Sequence, residues 1–349
     1  MDELLKNQFK VELNQIQKYL IYLDKIEVFI TTAGEETLTN DAFRSLKKQH
    51  IAFERDKKFF EYKAVMISLY GVLEKYIEVW VKSYLEALSL IIPYPLLNEA
   101  IQNNHFKQSI TLISMLIEDR WAKYQHLKKV EVVKNLHDCI QSVNRYQLNT
   151  DAFVIASGNL KHKRIVAIFE TIGINLNDFL IKNKALNDVI GISERHHVEK
   201  EVLYNKINDL VDRRNTIAHG GEIDDLLERN IVKDYIAFLE VYCMAIFEAL
   251  QENYIQQEAM HHYQEIKIVH HVWKKSILGC QVEQLIVAKD DFLIVKTGDG
   301  HFYKRKIIEL QVDNQSHSVL NIVDKTDIAI RTEPPIAQNC SFFLKRSAR

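Results

Sequence analysis

Leu210-Val211-Asp212-Arg213-Arg214-Asn215-Thr216-Ile217-Ala218-His219-Gly220-Gly221 is the stretch on which the reading of this chain turns. Upstream, Val198, Val202, Leu203, Ile207, Leu210 and Val211 recur at helical spacing and define one apolar stripe. Continued, that stripe passes through Arg214 and then Ile217 and Ala218, while Arg213 is turned about a quarter-circle away. A guanidinium on a buried face keeps its proton and needs anionic or carbonyl partners. Gly220-Gly221 supplies the left-handed residue that commonly closes a helix, which puts His219 at or beside the C-cap. There the unsatisfied carbonyls and the negative end of the helix dipole favour imidazolium. The ordinary histidine pKa, about 6.5, lets such a residue give or take a proton near neutrality. An arginine that holds a phosphate and a histidine that moves a proton, a turn and a half apart, suit phosphoryl chemistry.

Arg214-Asn215-Thr216-Ile217-Ala218-His219 resembles the signature of HEPN domains, an arginine and a histidine separated by four to six residues, with a polar residue often following the arginine. The whole string from Leu210 to Gly221 looks like that family's form of the motif, and it falls between two long predicted helices. The resemblance covers Ile51 to Met260. Arg213 also satisfies the spacing, and Arg214 is preferred on the stripe and on Asn215. The resemblance implies a mainly α protein: a HEPN-like helical bundle, residues 51–262, with an N-terminal helical extension, residues 1–50. A small antiparallel β domain, residues 263–349, completes the chain.

The function implied is that of a metal-independent endoribonuclease, a toxin or phage-defence effector with an active site shared across a homodimer. The RNA 2′-OH attacks the neighbouring phosphodiester, leaving a cyclic phosphate and a free 5′-OH. His219 and its symmetry mate accept and donate the protons. Arg214 neutralises charge on the phosphoryl oxygens, and Asn215 orients the histidine or contacts RNA. Glu74 lies in a segment, Ser68 to Tyr76, that looks like the first long helix of these domains, where an acidic residue is common. It either orients the arginine or histidine or simply borders the polar side with Lys75, Glu78 and Lys82; the second reading is slightly preferred. Arg213 is assigned to backbone phosphates or a surface carboxylate. No cofactor and no metal is implied, and the partners implied are RNA, a second copy of the chain and a neutralising antitoxin or defence-system protein. The alternative is a non-catalytic HEPN-type module that binds RNA or protein.

Composition agrees with long helices: 349 residues carry only ten Gly and four Pro. Four scattered cysteines, none in a CxxC pair, indicate neither a disulfide framework nor a zinc ribbon, and a reducing cytoplasm is the simplest home. No signal peptide is read at the N-terminus, and no apolar run approaches the ~18 residues of a membrane span. The net charge of −2 does not announce a nucleic-acid binder, although the tail from Ile266 is mildly basic and the rest mildly acidic.

Taken in order, residues Glu3 to Ile30 read as one amphipathic helix, expected to pack on the body. Thr31 to Gly34 breaks it, and Thr39-Asn40-Asp41 caps a short helix. The densest apolar stretch, Phe53 to Leu90, reads as a helix buried on more than one side. Pro93-Tyr94-Pro95 makes a rigid turn, and shorter helices run on to Ile192. Ser157 to Arg164 reads as a basic loop entering a helix, a solvated loop rather than a phosphate cradle. Adjacent His196-His197 face different sides and do not chelate; His261-His262 and His270-His271 read as ordinary linker and strand residues. A second long helix, Leu226 to Gln257, should fold back antiparallel to the motif helix. Beyond Ile266, short β-branched and aromatic runs alternate with turn residues, and Gly298-Asp299-Gly300 signals a hairpin. Lys304, Arg305 and Lys306 beside it, interleaved with aromatics, are candidate RNA-backbone contacts or lysines that keep an edge soluble.

Overall fold

The computed structural model describes residues 3–32, 41–118, 122–142, 145–155, 158–190, 200–223 and 225–346, the side chains of 200–203 excepted. The expected break at Ala33-Gly34, the cap at Thr39-Asn40, the pair His196-His197 and the stripe residues Val198, Val202 and Leu203 fall wholly or in their side chains outside these. The protein is mainly helical with a C-terminal antiparallel sheet. It divides into two compact units: one of residues 2–85 and 97–248, the other of residues 86–96 and 249–349.

The helical unit is built on two long helices, α1 (Glu3–Thr32) and α2 (Asp41–Ile91). Where the sequence reading separates a short helix from the one beginning near Phe53, the structure has a single helix of 51 residues. The reason is local: between Asp41 and Tyr70 the chain has no Gly or Pro, so nothing interrupts the ladder of hydrogen bonds. The centre of α2 is buried on several sides, with Met66, Leu69, Leu73, Ile77, Trp80 and Val81 all inaccessible. Trp80 receives Phe9 of α1 edge-on at 5.2 Å and Phe247 at 5.2 Å. Thus α1 packs on the body, as its amphipathic pattern predicts. Polar residues of α2 do not simply face water: Lys75 pairs with Glu12, Lys82 with Asp151, and Glu78 with Lys123.

Shorter helices come next: α3 (Glu99–Glu118), α4 (Lys129–Ile140), α5 (His162–Thr171), α6 (Leu176–Lys182) and α7 (Lys184–Ile190). They lead to the motif helix α8 (Lys200–Ala218) and the long α9 (Arg229–His262). Helices α8 and α9 run antiparallel: Tyr204 lies 6.3 Å from Tyr242, and Asp209 accepts a hydrogen bond from Tyr235, earlier on α9. His162 ties several elements together. Its ring stacks 3.4 Å from Tyr204, Nδ1 meets Tyr242 Oη at 2.8 Å, and Nε2 meets Asn177 Oδ1 at 2.9 Å. Burial pushes this imidazole down to about 4, against a small opposing effect of Asn177. The basic loop reading therefore needs one correction, because His162 belongs to the core.

The β unit holds an eight-stranded sheet ordered β1-β10-β5-β6-β9-β3-β2, with β7 alongside β6, and a separate pair β4-β8. Every pairing is antiparallel. The strands are β1 (Tyr263–Glu265), β2 (Ile268–Trp273), β3 (Ile277–Val282), β4 (Leu285–Ala288) and β5 (Phe292–Lys296). The remainder are β6 (Phe302–Val312), β7 (Gln315–His317), β8 (Val319–Ile322), β9 (Thr326–Glu333) and β10 (Ser341–Lys345). Leu278, Cys280, Leu293, Val295, Ile307, Leu310, Ile330 and Phe342 form its core. The hairpin at Gly298-Asp299-Gly300 closes β5 onto β6, with Gly300 at φ +95°.

Candidate active site

The motif helix ends as its glycines require. Gly221 N–H donates to Thr216 O at 2.8 Å and Gly220 N–H to Ile217 O at 3.2 Å, the paired bonds of a Schellman closure. Gly220 sits at φ +72°, a region L-residues avoid. A Cβ on Gly221 would lie 2.9 Å from the Thr216 methyl, so this second glycine is needed for close approach. His219 is consequently the C-cap residue, its N–H donating to Asn215 O at 3.0 Å and its side chain exposed.

Leu210 and Val211 are fully buried, and both arginines next along the helix are half-buried. Their surroundings differ. Arg213 Nε donates to Asp209 Oδ2 at 2.7 Å, and Nη1 donates to Tyr62 Oη at 2.9 Å and to Asp225 O at 3.0 Å. Nη2 reaches Asp225 Oδ2 at 3.4 Å. Desolvation is the largest influence on this guanidinium and opposes its charge, but the bonds to Asp209 and Tyr62 outweigh it and raise the pKa. Of the two assignments the sequence gives Arg213, the carboxylate is the one seen, and with its donors so occupied it offers little to a phosphate.

Arg214 continues the stripe, and its guanidinium carbon lies 4.1 Å from the centre of the Tyr70 ring. Nη1 donates to Asn215 Oδ1 at 2.9 Å, and among the described residues its other N–H groups have no acceptor. Asn215 Nδ2 donates in turn to Asn159 Oδ1 at 2.9 Å. The Tyr70 hydroxyl accepts the backbone N–H groups of Asn159, at 3.0 Å, and Leu160, at 3.3 Å. Glu74 is half-buried with Oε1 3.5 Å from the Tyr70 hydroxyl. Burial raises its pKa, as does Glu78, while Lys123 and Arg214 act the other way. Arg214 and Glu74 therefore meet at one tyrosine, Asn215 is linked to it through Asn159, and His219 stands one and a half turns beyond Arg214 along the chain.

Tyr70 and Asn159 are the residues sequence reasoning passed over. Tyr70 reads as one more apolar position of α2, and it is indeed buried. Its use as a platform depends on α8, 144 positions later, which no periodicity within α2 reveals. Asn159 gives a faint signal, an Asn after a Gly in a polar loop, and it takes the left-handed conformation at φ +65°.

The hairpin cations lie in the β unit and have partners of their own. Lys304 pairs with Glu258 and Lys306 with Asp290 at 2.8 Å. Arg305 lies 4.0 Å over the Tyr303 ring and donates from Nε to Pro335 O at 3.0 Å. Carboxylates neutralise both lysines, so within that trio Arg305 alone has no ion pair among the described residues. His270 pairs with Asp327 at 3.0 Å. Among the described residues no group of three or more His, Cys, Asp or Glu is arranged to hold a metal ion, and no helix is long and apolar enough to cross a membrane.

Compared with known proteins, the chain matches a family model described as RiboL-PSP-HEPN over residues 37–252. The comparison with curated proteins gives no match.

Proposed function

The chain belongs to the RiboL-PSP-HEPN family, and from that premise we propose that it is a metal-independent endoribonuclease whose working residues are Arg214, Asn215 and His219. Family membership by itself points to an RNase or an RNA-binding function. The observation that carries the finer reading is the contrast between neighbours. Arg213 is bound up with protein acceptors, while Arg214 is braced on an aromatic face with most of its donors uncommitted among the described residues.

In this reading the 2′-oxygen of a ribose attacks the adjacent phosphorus as its proton passes to a histidine. The bond from phosphorus to the 5′-oxygen breaks, and that oxygen takes a proton from a second histidine. His219 of each of two copies of the chain fills these roles, which makes the working form a homodimer. Arg214 offers a planar set of N–H donors to the oxygens on which negative charge accumulates. Asn215 fixes the direction of that fork. The products are a 2′,3′-cyclic phosphate and a 5′-hydroxyl, and an all-deoxy strand is left whole because it lacks the attacking group. We place the enzyme among toxin or phage-defence effectors restrained by a partner protein. Growth arrest on expression, relieved by Arg214→Ala, is the result expected for that role.

Cleavage of total RNA in excess EDTA tests the reaction. Loss of cleavage in folded Arg214→Ala and His219→Ala supports it. RNA that is bound but never cut would instead identify a binding module.

A further inference from the structure

The loop before α5 is fastened to α8 by three side chains that recur at i, i+4 and i+7 on one side of that helix. Asn208 Oδ1 accepts the His162 N–H at 3.0 Å, Asp212 pairs with Lys161 at 2.7 Å, and Asn215 donates to Asn159 at 2.9 Å. The same loop is pinned from α2, where one tyrosine hydroxyl accepts two successive backbone N–H groups. The bonds form a circuit: guanidinium to Asn215, Asn215 to Asn159, Asn159 backbone to the Tyr70 hydroxyl, and the Tyr70 ring back under the guanidinium.

A free arginine side chain samples many rotamers and loses much of that freedom when it grips a phosphate. Here the circuit removes it in advance. The ring centre lies 4.1 Å from the guanidinium carbon, and Asn215 Oδ1 takes one of its N–H groups, so two of its contacts are set before any ligand arrives. Asn159 is exposed and holds a left-handed backbone conformation, and its amide oxygen is directed at Asn215.

We propose that Tyr70 and Asn159 are positioning residues that hold Arg214 in its phosphate-gripping orientation, and that the Asn159–His162 loop is the device through which they do so. This rests on the reading of Arg214 as the residue that receives the scissile phosphate.

Two measurements separate the proposal from that reading. The first needs no RNA. In a deuterated sample, the Arg214 guanidinium resonances, assigned by their loss in Arg214→Lys, should be displaced by the Tyr70 ring current and broadened by restricted rotation. Asn159→Ala should restore rapid rotation, and Tyr70→Leu should abolish the displacement. Unchanged Arg214 signals in Asn159→Ala overturn the proposal whatever the RNA assays give.

The second is single-turnover cleavage. A misplacement of about 1 Å at a reacting centre costs on the order of 100-fold, and losses of roughly 10- to 100-fold in the maximal cleavage rate, with little change in the half-saturating protein concentration, are expected for Asn159→Ala and Tyr70→Leu. Tyr70→Phe keeps the ring and loses the hydroxyl, so it should match Asn159→Ala, and the double variant should be no worse than either. Additive losses, or full activity in Asn159→Ala where Arg214→Ala is dead, overturn the proposal and leave the reading of Arg214 standing. Full activity in Arg214→Ala removes the reading, and with it the phosphate-gripping role proposed for the circuit.

Discussion

Arg213 and Arg214 are chemically identical, and what each touches sets different consequences for losing it. Arg213, its side chain 21% exposed, bridges Asp209, Tyr62 and Asp225. Arg213→Ala leaves Asp209 only its bond from Tyr235 and takes the guanidinium from the buried Tyr62, and about 1–3 kcal/mol of stability should go with it. Arg214 loses one bond to a neighbouring amide and one aromatic contact, together worth about 1 kcal/mol at a partly exposed site. Urea denaturation of the two alanine variants should therefore rank Arg213→Ala as the less stable, while cleavage assays should rank Arg214→Ala as the less active. A reversed order in both assays would exchange the roles assigned here. The apolar stripe turns Arg214 inward and Arg213 aside. Yet both are half-buried and both reach α2, Arg213 at the Tyr62 hydroxyl and Arg214 at the Tyr70 ring, so partners and not burial tell them apart. That the surface awaiting Arg214 is an aromatic ring was not readable, since the pattern of its own helix already accounts for the burial of Tyr70.

Helix ends and glycines carry the predictions at the scale of elements. Gly220→Ala forces a left-handed conformation on an L-residue at the close of α8, and a loss of about 1 kcal/mol is expected in thermal melts. Gly71 lies inside α2 with nothing within 4 Å of an added methyl. Gly71→Ala should therefore raise stability by about 0.5–1 kcal/mol, and a destabilised variant would mean that α2 is not continuous there. Caps at the motif helix were legible because Gly-Gly has one common use after a helical stripe. The full length of α2 was not, since the cap signal at Thr39-Asn40-Asp41 suggests a short helix of its own, and only the lack of a breaker joins it to the apolar run beginning at Phe53. Strand β3 is hard to read from sequence for another reason. Gly279 interrupts its pattern, and the ring of Trp273 occupies the place of the missing side chain, 2.3 Å from where a Cβ would stand. Strands β1 and β7, of three residues each, are too short for alternation to show.

Across the whole molecule, the change from helical to two-residue periodicity near Ile266 was plain in the sequence, and the antiparallel sheet follows it. What the sequence hides is which histidines are core. His105 accepts the Asn149 N–H at 3.0 Å and burial holds its pKa down to about 4, as burial does for His162. Both are neutral in the folded protein across a range where the unfolded chain, titrating near 6.5, binds protons. More protons bound by the unfolded state means that stability rises with pH in that interval. It is therefore lost as pH falls from about 6.5 towards 4, at up to about 1.4 kcal/mol per pH unit for each histidine. Urea midpoints at pH 7, 6 and 5 should fall steadily, and His162→Gln should flatten the decline. A midpoint unchanged from pH 7 to pH 5 would contradict the burial of both rings.

The central claim, that Arg214 and His219 cut RNA without a metal, is tested most directly by the ends they leave. A 5′-labelled RNA incubated with the protein in excess EDTA should give fragments ending in 2′,3′-cyclic phosphate, and none with Arg214→Ala, with His219→Ala or with the substrate deoxy at the cut position. Cleavage that persists in either variant, or that needs a divalent ion, would contradict the account.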